Sequence, residues 1–301
     1  MAVLIAIATC AELPDLDEDE RRLIDALFEL GADAQPAVWD DSSIDWGSFD
    51  AVILRATWDY SRRLEEFIAW TRRVASVTVL LNPADIVEWN TDKRYLTDLA
   101  AAGVPTVPTA FLEPSALPES AAEPVAWAPP AGFAEFVVKP VVSAGSRDTM
   151  RYSPATSGDA PDLHVRRLLA AGEAVMIQPY LEAVDTIGET ALVFIGGEFS
   201  HSIRKGQMLR LDTEGEKVAG LYVIEDINPR AASPAERAVA DAALAAIPGG
   251  FDRVLYARVD VIPDASGAPV VLELELTEPS LFFQHDHAAA PRLAAAILAR
   301  L

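Results

Sequence analysis

The stretch VVLELELTEPS, residues 270–280, decides how the chain is read. Leu272, Leu274 and Leu276 alternate with Glu273 and Glu275, so a strand turns the leucines to one face and the two carboxylates to the other. Glu278 adds a third carboxylate close by, and like charges crowded together need a compensating positive charge. The upstream stretch ARVDVIP, residues 257–263, reads as a second strand, and DASGAP, residues 264–269, as the turn between them. A hairpin of this kind brings Asp260 opposite Glu273. Asp260, Glu273 and Glu275 then form a hard-oxygen group suited to Mg2+, which supplies the missing charge. The plainer alternative is the solvated face of an edge strand, and spacing alone does not separate the two.

The rest of the composition narrows the setting. The chain has 301 residues, 51% hydrophobic and 23% charged, enough for two or three compact units. With 46 acidic against 24 basic residues the formal net charge is −22, which disfavours nucleic acid and anionic membrane surfaces as partners. Cys10, the single cysteine, excludes an internal disulfide and a cysteine metal cluster, and it reads as a small core residue. MAVLIAIATC lacks a positive leader and does not read as a signal peptide, and no apolar run reaches membrane-span length. A soluble cytoplasmic protein is expected, with a homodimer as the default assembly.

Residues 1–90 alternate strand and helix. AVLIAIATC suits a strand buried on both faces, residues 17–30 follow as a helix stopped by Gly31, and AVW, FDAVILRAT and VTVLLNP continue the strands around a helix over 64–74. This alternation predicts a parallel sheet, whose ligands lie beyond the carboxyl ends of its strands, where LRATWDY (54–60) falls. From residue 90 a helix is expected to run to Gly103 with Lys93 near its start. Residues 109–132 read as a loop, and FVVKP, TMRYS, AVMIQPYLE, ETALVFIGG and EFSHSIRK as strands. Two Ala-rich helices, over 234–247 and 285–301, complete the pattern.

Several candidate anion-binding groups fall along this order. Lys139 ends an apolar strand, Lys93 follows EWNTD, and VSAGSRDT (142–149) is a small-residue loop whose N–H groups could wrap phosphates. Arg204 and Lys205 stand at another strand end, and no G-x-x-x-x-G-K-[ST] sequence occurs. Taken together, the set resembles the ATP-grasp superfamily and, within it, the glutathione synthetase-like carboxylate–amine ligases. The resemblance implies an α/β chain with α+β character in its nucleotide-binding part: a parallel-sheet domain over 1–90, a lid subdomain over 91–180, and a metal-bearing subdomain over 181–301.

By the same resemblance, ATP phosphates would be held by Lys93, Lys139 and a flexible loop including Ser143, Gly145 and Ser146. MIQPYLE would contact adenine through its backbone, flanked by Gln178 and Tyr180, with Glu182 or Asp185 on the ribose. Arg204 and Lys205 would clamp the transferred phosphoryl group, and Asp260, Glu273 and Glu275 would bind Mg2+, with two ions expected. Glu275 stands where the family usually has Asn.

VILRATWDY, the run over 80–109 and LELELTEPSLFF resemble a narrower group, the O-ureido-D-serine cyclo-ligases of D-cycloserine formation. That resemblance implies ring closure on an acylphosphate made from a small amino-acid-derived substrate. A two-substrate amino-acid or peptide ligase is the alternative. Arg55, Asp59 and Ser280 are the candidate substrate contacts, although Arg55 and Asp59 could equally pair structurally. His285 and His287 read as exposed residues at a helix start rather than a metal pair.

Overall fold

The computed structural model describes residues 2–120, 123, 125–213, 217, 218, 221–223 and 226–301. The first unit runs β1 (Leu4–Thr9), α1 (Glu18–Glu29), β2 (Asp33–Val38), β3 (Ala51–Ala56), α2 (Leu64–Val77) and β4 (Val79–Leu81). Its strands pair in the parallel order β2-β1-β3-β4. β1 is apolar from Leu4 to Ala8 because both faces are covered. Ile5 and Ile7 pack against Leu23 and Leu27 of α1, and Ala6 and Ala8 lie in a core with Phe67 and Trp70 of α2. Asp17 caps α1 by accepting from the Glu20 amide, and Gly31, at φ 82°, supplies the left-handed residue that ends it.

The helix expected from residue 90 to Gly103 is broken. It divides into α3 (Ala84–Thr91) and α4 (Tyr95–Ala101), with Asp92 extended between them and accepting from the Arg94 amide. An aspartate that bonds its own backbone two residues on favours a turn over a continued helix. The break puts Lys93 at a corner rather than on a helix face, which frees its long stem to cross to other elements.

Next come β5 (Ala110–Leu112), β6 (Phe136–Pro140), β7 (Met150–Tyr152), α5 (Ala160–Ala170) and β8 (Val175–Pro179), forming an antiparallel sheet of order β5-β8-β6-β7. The expected loop over 109–132 therefore begins with a short strand and a 3-10 turn at Pro114–Ala116; Ala121, Ala122 and Pro124 lie outside the described residues. The chain continues through α6 (Ala183–Thr186), β9 (Glu189–Ile195), β10 (Glu198–Lys205), the ribbon strands β11 (Lys217–Val218) and β12 (Tyr222–Val223), β13 (Ile227–Pro229) and α7 (Pro234–Ala245). β14 (Tyr256–Pro263), β15 (Pro269–Glu275) and α8 (Ala289–Leu298) complete it. The third sheet has the order β13-β10-β9-β14-β15, backed by α7, whose start carries a full capping box between Ser233 and Glu236.

α8 returns to the first unit, where Leu293 and Ile297 share a core with Ile5, Leu23 and Leu27. The Ala-rich helix expected from residue 285 starts at Ala289, and His285 belongs to a 3-10 turn before it. β15 is an edge strand, and side chains from the first half of the chain cover its open edge. Asn90 bonds the Leu274 carbonyl and the Leu276 amide, the Tyr95 hydroxyl accepts from the Leu274 amide, and Asn82 reaches the Leu276 carbonyl. These bonds satisfy the edge and fix the strand that carries Glu273 and Glu275.

Candidate active site

A cavity of about 630 Å³ opens between the β14–β15 hairpin, the end of β8 and the 143–149 loop, with Trp58, Tyr60 and the start of α1 on its remaining side. Glu273 and Glu275 line it from β15, and Arg258 from β14. The hairpin forms with Asp260 opposite Glu273, and a bulge after Asp260 pairs Val261 with Val271. Leu272, left unpaired by the bulge, joins the cavity wall, while Leu274 and Leu276 lie in the core behind it.

Side-chain cations answer the opening question of charge. Lys93 Nζ lies 3.1 Å from Glu273 and donates to the Ser143 carbonyl at 2.7 Å, tying the 143–149 loop to the acid strand. Lys205 Nζ lies 3.0 Å from Asp260 and 3.5 Å from Glu189. Arg258 donates to both Asp260 oxygens at 2.9 and 3.0 Å, to Glu275, and to the Ser280 carbonyl. Lys139 also lines the cavity and has no hydrogen-bond partner among the described residues.

This environment separates the acids. Burial would raise Glu273, but Lys93, Lys139 and Lys205 outweigh it and hold the carboxyl at about 2. Burial pushes Glu275 up to about 7, with Glu273 and Asp260 adding to the effect and Arg258 opposing it. Burial lowers Lys139 below the usual lysine range, partly offset by Glu273, while Lys93 adds to the lowering. An ammonium held among two other lysines is a group short of negative charge.

Of the sequence-predicted residues, the structure gathers Lys93, Lys139, Ser143, Gly145, Ser146, Gln178, Tyr180, Lys205, Glu273, Glu275 and Ser280 on the cavity wall. The loop residues are shaped by left-handed Gly145, Ser146 and Asp148, and Arg147 anchors them through Glu173 and the Val142 carbonyl, both at 2.9 Å.

Six residues lie elsewhere. Arg55 is fully buried, its guanidinium gripping Glu20 and donating to the Pro279 carbonyl at 2.7 Å. Asp59 accepts from the Trp39 indole at 2.8 Å and pairs with Arg63. Both hold the first unit together rather than facing substrate. Arg204 and Lys205 are neighbours on β10 and so point to opposite faces; Arg204 turns outward to the Ile187 carbonyl and Asp226. Glu182 is exposed, and Asp185 is taken by Arg151 and the Tyr180 hydroxyl, so neither lines the cavity. Asp260 is 1% exposed and sits behind the wall, its oxygens occupied by Arg258 and Lys205. Among the described residues no three acid, His or Cys side chains are arranged to hold a metal ion.

The sequence reading missed Arg258, Glu20 and the Tyr60–Glu278 pair. Arg258 carried a usable signal: it precedes Asp260 by two residues and so shares its strand face. The Arg55–Glu20 pair yields a stability prediction. Arg55→Ala leaves a buried carboxylate without its cation and should cost about 3–5 kcal/mol in urea unfolding. A loss below about 1 kcal/mol, the range of an exposed ion pair, would contradict the structural role.

Comparison with known proteins now bears on the site. The cycloserine biosynthesis protein DcsG of Streptomyces lavendulae is 40% identical to the chain over 304 residues, covering all of it and 99% of that protein. The chain belongs to the DcsG family. A model of the N-terminal domain of D-cycloserine synthetase DcsG matches residues 5–82, the span of the parallel sheet. The crystal structure of D-cycloserine synthetase DcsG superposes with a TM-score of 0.85 at 37% identity, over 99% of each chain. The ATP-grasp ligase PsnB, in a complex with a phosphomimetic precursor variant, Mg and ADP, shares the fold at a TM-score of 0.60 and 18% identity, over 100% of this chain and 99% of that one. The DcsG-family chain is thus an ATP-grasp ligase, with the cavity between its two antiparallel sheets of four and five strands and the segment after β3. Among the described residues no helix is long and apolar enough to cross a membrane.

Proposed function

We propose that the chain closes a ring within O-ureido-D-serine to give D-cycloserine, by ATP-dependent activation of the substrate carboxylate as an acylphosphate. The observation that carries this reading is the full-length 40% identity to the cycloserine biosynthesis protein DcsG. One cavity joining a cation-rich end to a wall of Trp58, Tyr60, Glu278 and Ser280 supports it. Comparing the two molecules, the nitrogen bonded to the side-chain oxygen must join the carboxyl carbon as phosphate leaves, and water must cleave the carbamoyl group from that nitrogen, releasing carbamic acid that breaks down to ammonia and carbon dioxide.

The residues present fit nucleotide and metal. Lys139 lacks a hydrogen-bonded anion, and the left-handed loop beside it presents backbone to the same space. Glu273 and Glu275 give four carboxylate oxygens for Mg2+, which completes its shell from phosphates and water; this suits a pair of ions better than an all-protein cage. Bound Mg-ATP supplies the phosphoryl group and neutralises charge as it transfers. Lys93 and Lys139 would position the phosphates, Lys205 and Arg258 would keep Asp260 and Glu275 in place, and the backbone of residues 178–181 would meet the base. A carboxylate activated beside its own nucleophile needs no second organic pocket and gains effective molarity.

The test is phosphate release from ATP across a panel of free amino-acid carboxylates, each with and without added amine. The reading expects release with O-ureido-D-serine alone. Release only when a separate amine is supplied would replace ring closure with two-substrate ligation.

A further inference from the structure

We propose that Glu278, held in place by Tyr60, selects substrates that carry an ammonium group beside the carboxylate to be activated. This rests on the ring-closing reading and adds the residue that recognises its substrate. Glu278 is 8% exposed, yet it lines the cavity. The segment after β3 holds it from two sides: the Trp58 indole donates to its backbone carbonyl at 3.1 Å, and Tyr60 lines the same wall with its hydroxyl close enough to act on the carboxylate. Tyr60 in turn stacks on Phe67 with ring centroids 4.8 Å apart, which leaves its hydroxyl little freedom.

Among the acids buried on the cavity wall the charge balance singles this residue out; Asp17 and Glu18 also line the wall without an ion pair, but Asp17 is only half-buried and Glu18 is exposed. Glu20 has Arg55, Glu273 has Lys93, Glu275 has Arg258, and Asp260 has Lys205 and Arg258. Glu278 has the Tyr60 hydroxyl nearby and, among the described residues, no cation within ion-pair distance. Burial, followed by the charge of Glu275, pushes its carboxyl up to about 8, and the more distant Lys93 offsets this only in part. An arriving ammonium supplies a close positive neighbour. The position also suits an α-amino acid, whose ammonium and carboxylate share one carbon and need adjacent recognition groups. Glu278 follows the Glu273–Glu275 face by three residues and shares its wall with Ser280. Glu278 is therefore the specificity residue, and Tyr60 is a positioning residue acting through it.

The experiment compares O-ureido-D-serine with its desamino analogue, ureidooxypropanoate, in the wild type, Glu278→Gln and Tyr60→Phe. Wild type should prefer the amino compound by about 100-fold in kcat/KM, the scale of one hydrogen-bonded charge. Glu278→Gln should lose about 100-fold on that compound while leaving the analogue within about threefold. Tyr60→Phe should raise the KM for the amino compound about tenfold with kcat and ATP affinity nearly unchanged, because the hydroxyl beside the carboxylate is lost. Equal losses on both compounds, or a retained preference in Glu278→Gln, would overturn the assignment. Calorimetric binding of both compounds beside a non-hydrolysable ATP analogue reads the same preference without turnover. A wild type that binds with the preference but makes no ring would remove the ring-closing reading and leave the role of Glu278 intact.

Discussion

Glu273→Gln should lower turnover by about a thousandfold, the upper range for removing one electrostatic group from a preorganised site. The substitution keeps the shape of the side chain and removes the charge that Lys93, Lys139 and Lys205 surround. With the acid gone, three ammonium groups face one another, and Mg2+ loses the carboxylate held most firmly in its ionised form. The fold should survive, because β15 is fixed by Asn82, Asn90 and Tyr95 through backbone bonds that Glu273 does not make. Turnover above about a tenth of wild type at saturating Mg2+ would show that Glu273 serves only to balance the lysines. Glu275→Asn should be milder, about tenfold, since it places the residue that the ATP-grasp resemblance implies here and loses the Arg258 contact.

Lys139→Ala should weaken ATP binding by about 100-fold in titration calorimetry, the expected scale for a charged contact with phosphate. The same substitution should leave stability unchanged or slightly improved. Lys139 has no hydrogen-bond partner to lose among the described residues, and burial together with Lys93 and Lys205 already disfavours its charge. A side chain whose removal costs ligand affinity and no stability is placed for the ligand. Unchanged ATP affinity, or a large drop in melting temperature, would contradict that account.

The acidic hairpin was legible because it depends on local rules. Alternation put Glu273 and Glu275 on one face, and a short turn between two apolar strands brought Asp260 opposite Glu273. The parallel sheet was legible for the same reason, through apolar runs alternating with amphipathic helices. Residues whose roles depend on distant partners were not. Arg55 at a strand end read equally as a substrate contact or a structural pair, and only the fold brings Glu20 to it from α1. Asp260 looked like a metal ligand, and only the sheet order sets Lys205 beside it. Arg204 was a different case, since strand parity already separated it from Lys205. Lys93 was placed near a helix start because the Asp92 turn that breaks the helix is a competition between two local preferences.

The central claim is that this cavity turns one amino-acid-derived molecule into a ring at the expense of ATP. The direct measurement is to incubate the purified chain with Mg-ATP and O-ureido-D-serine, with no other amine, and identify the products by mass spectrometry and phosphate assay. The account predicts D-cycloserine, with ADP and phosphate formed in equal amounts to it. ADP and phosphate without the ring compound, or an open-chain amide formed only when a second amine is added, would contradict it.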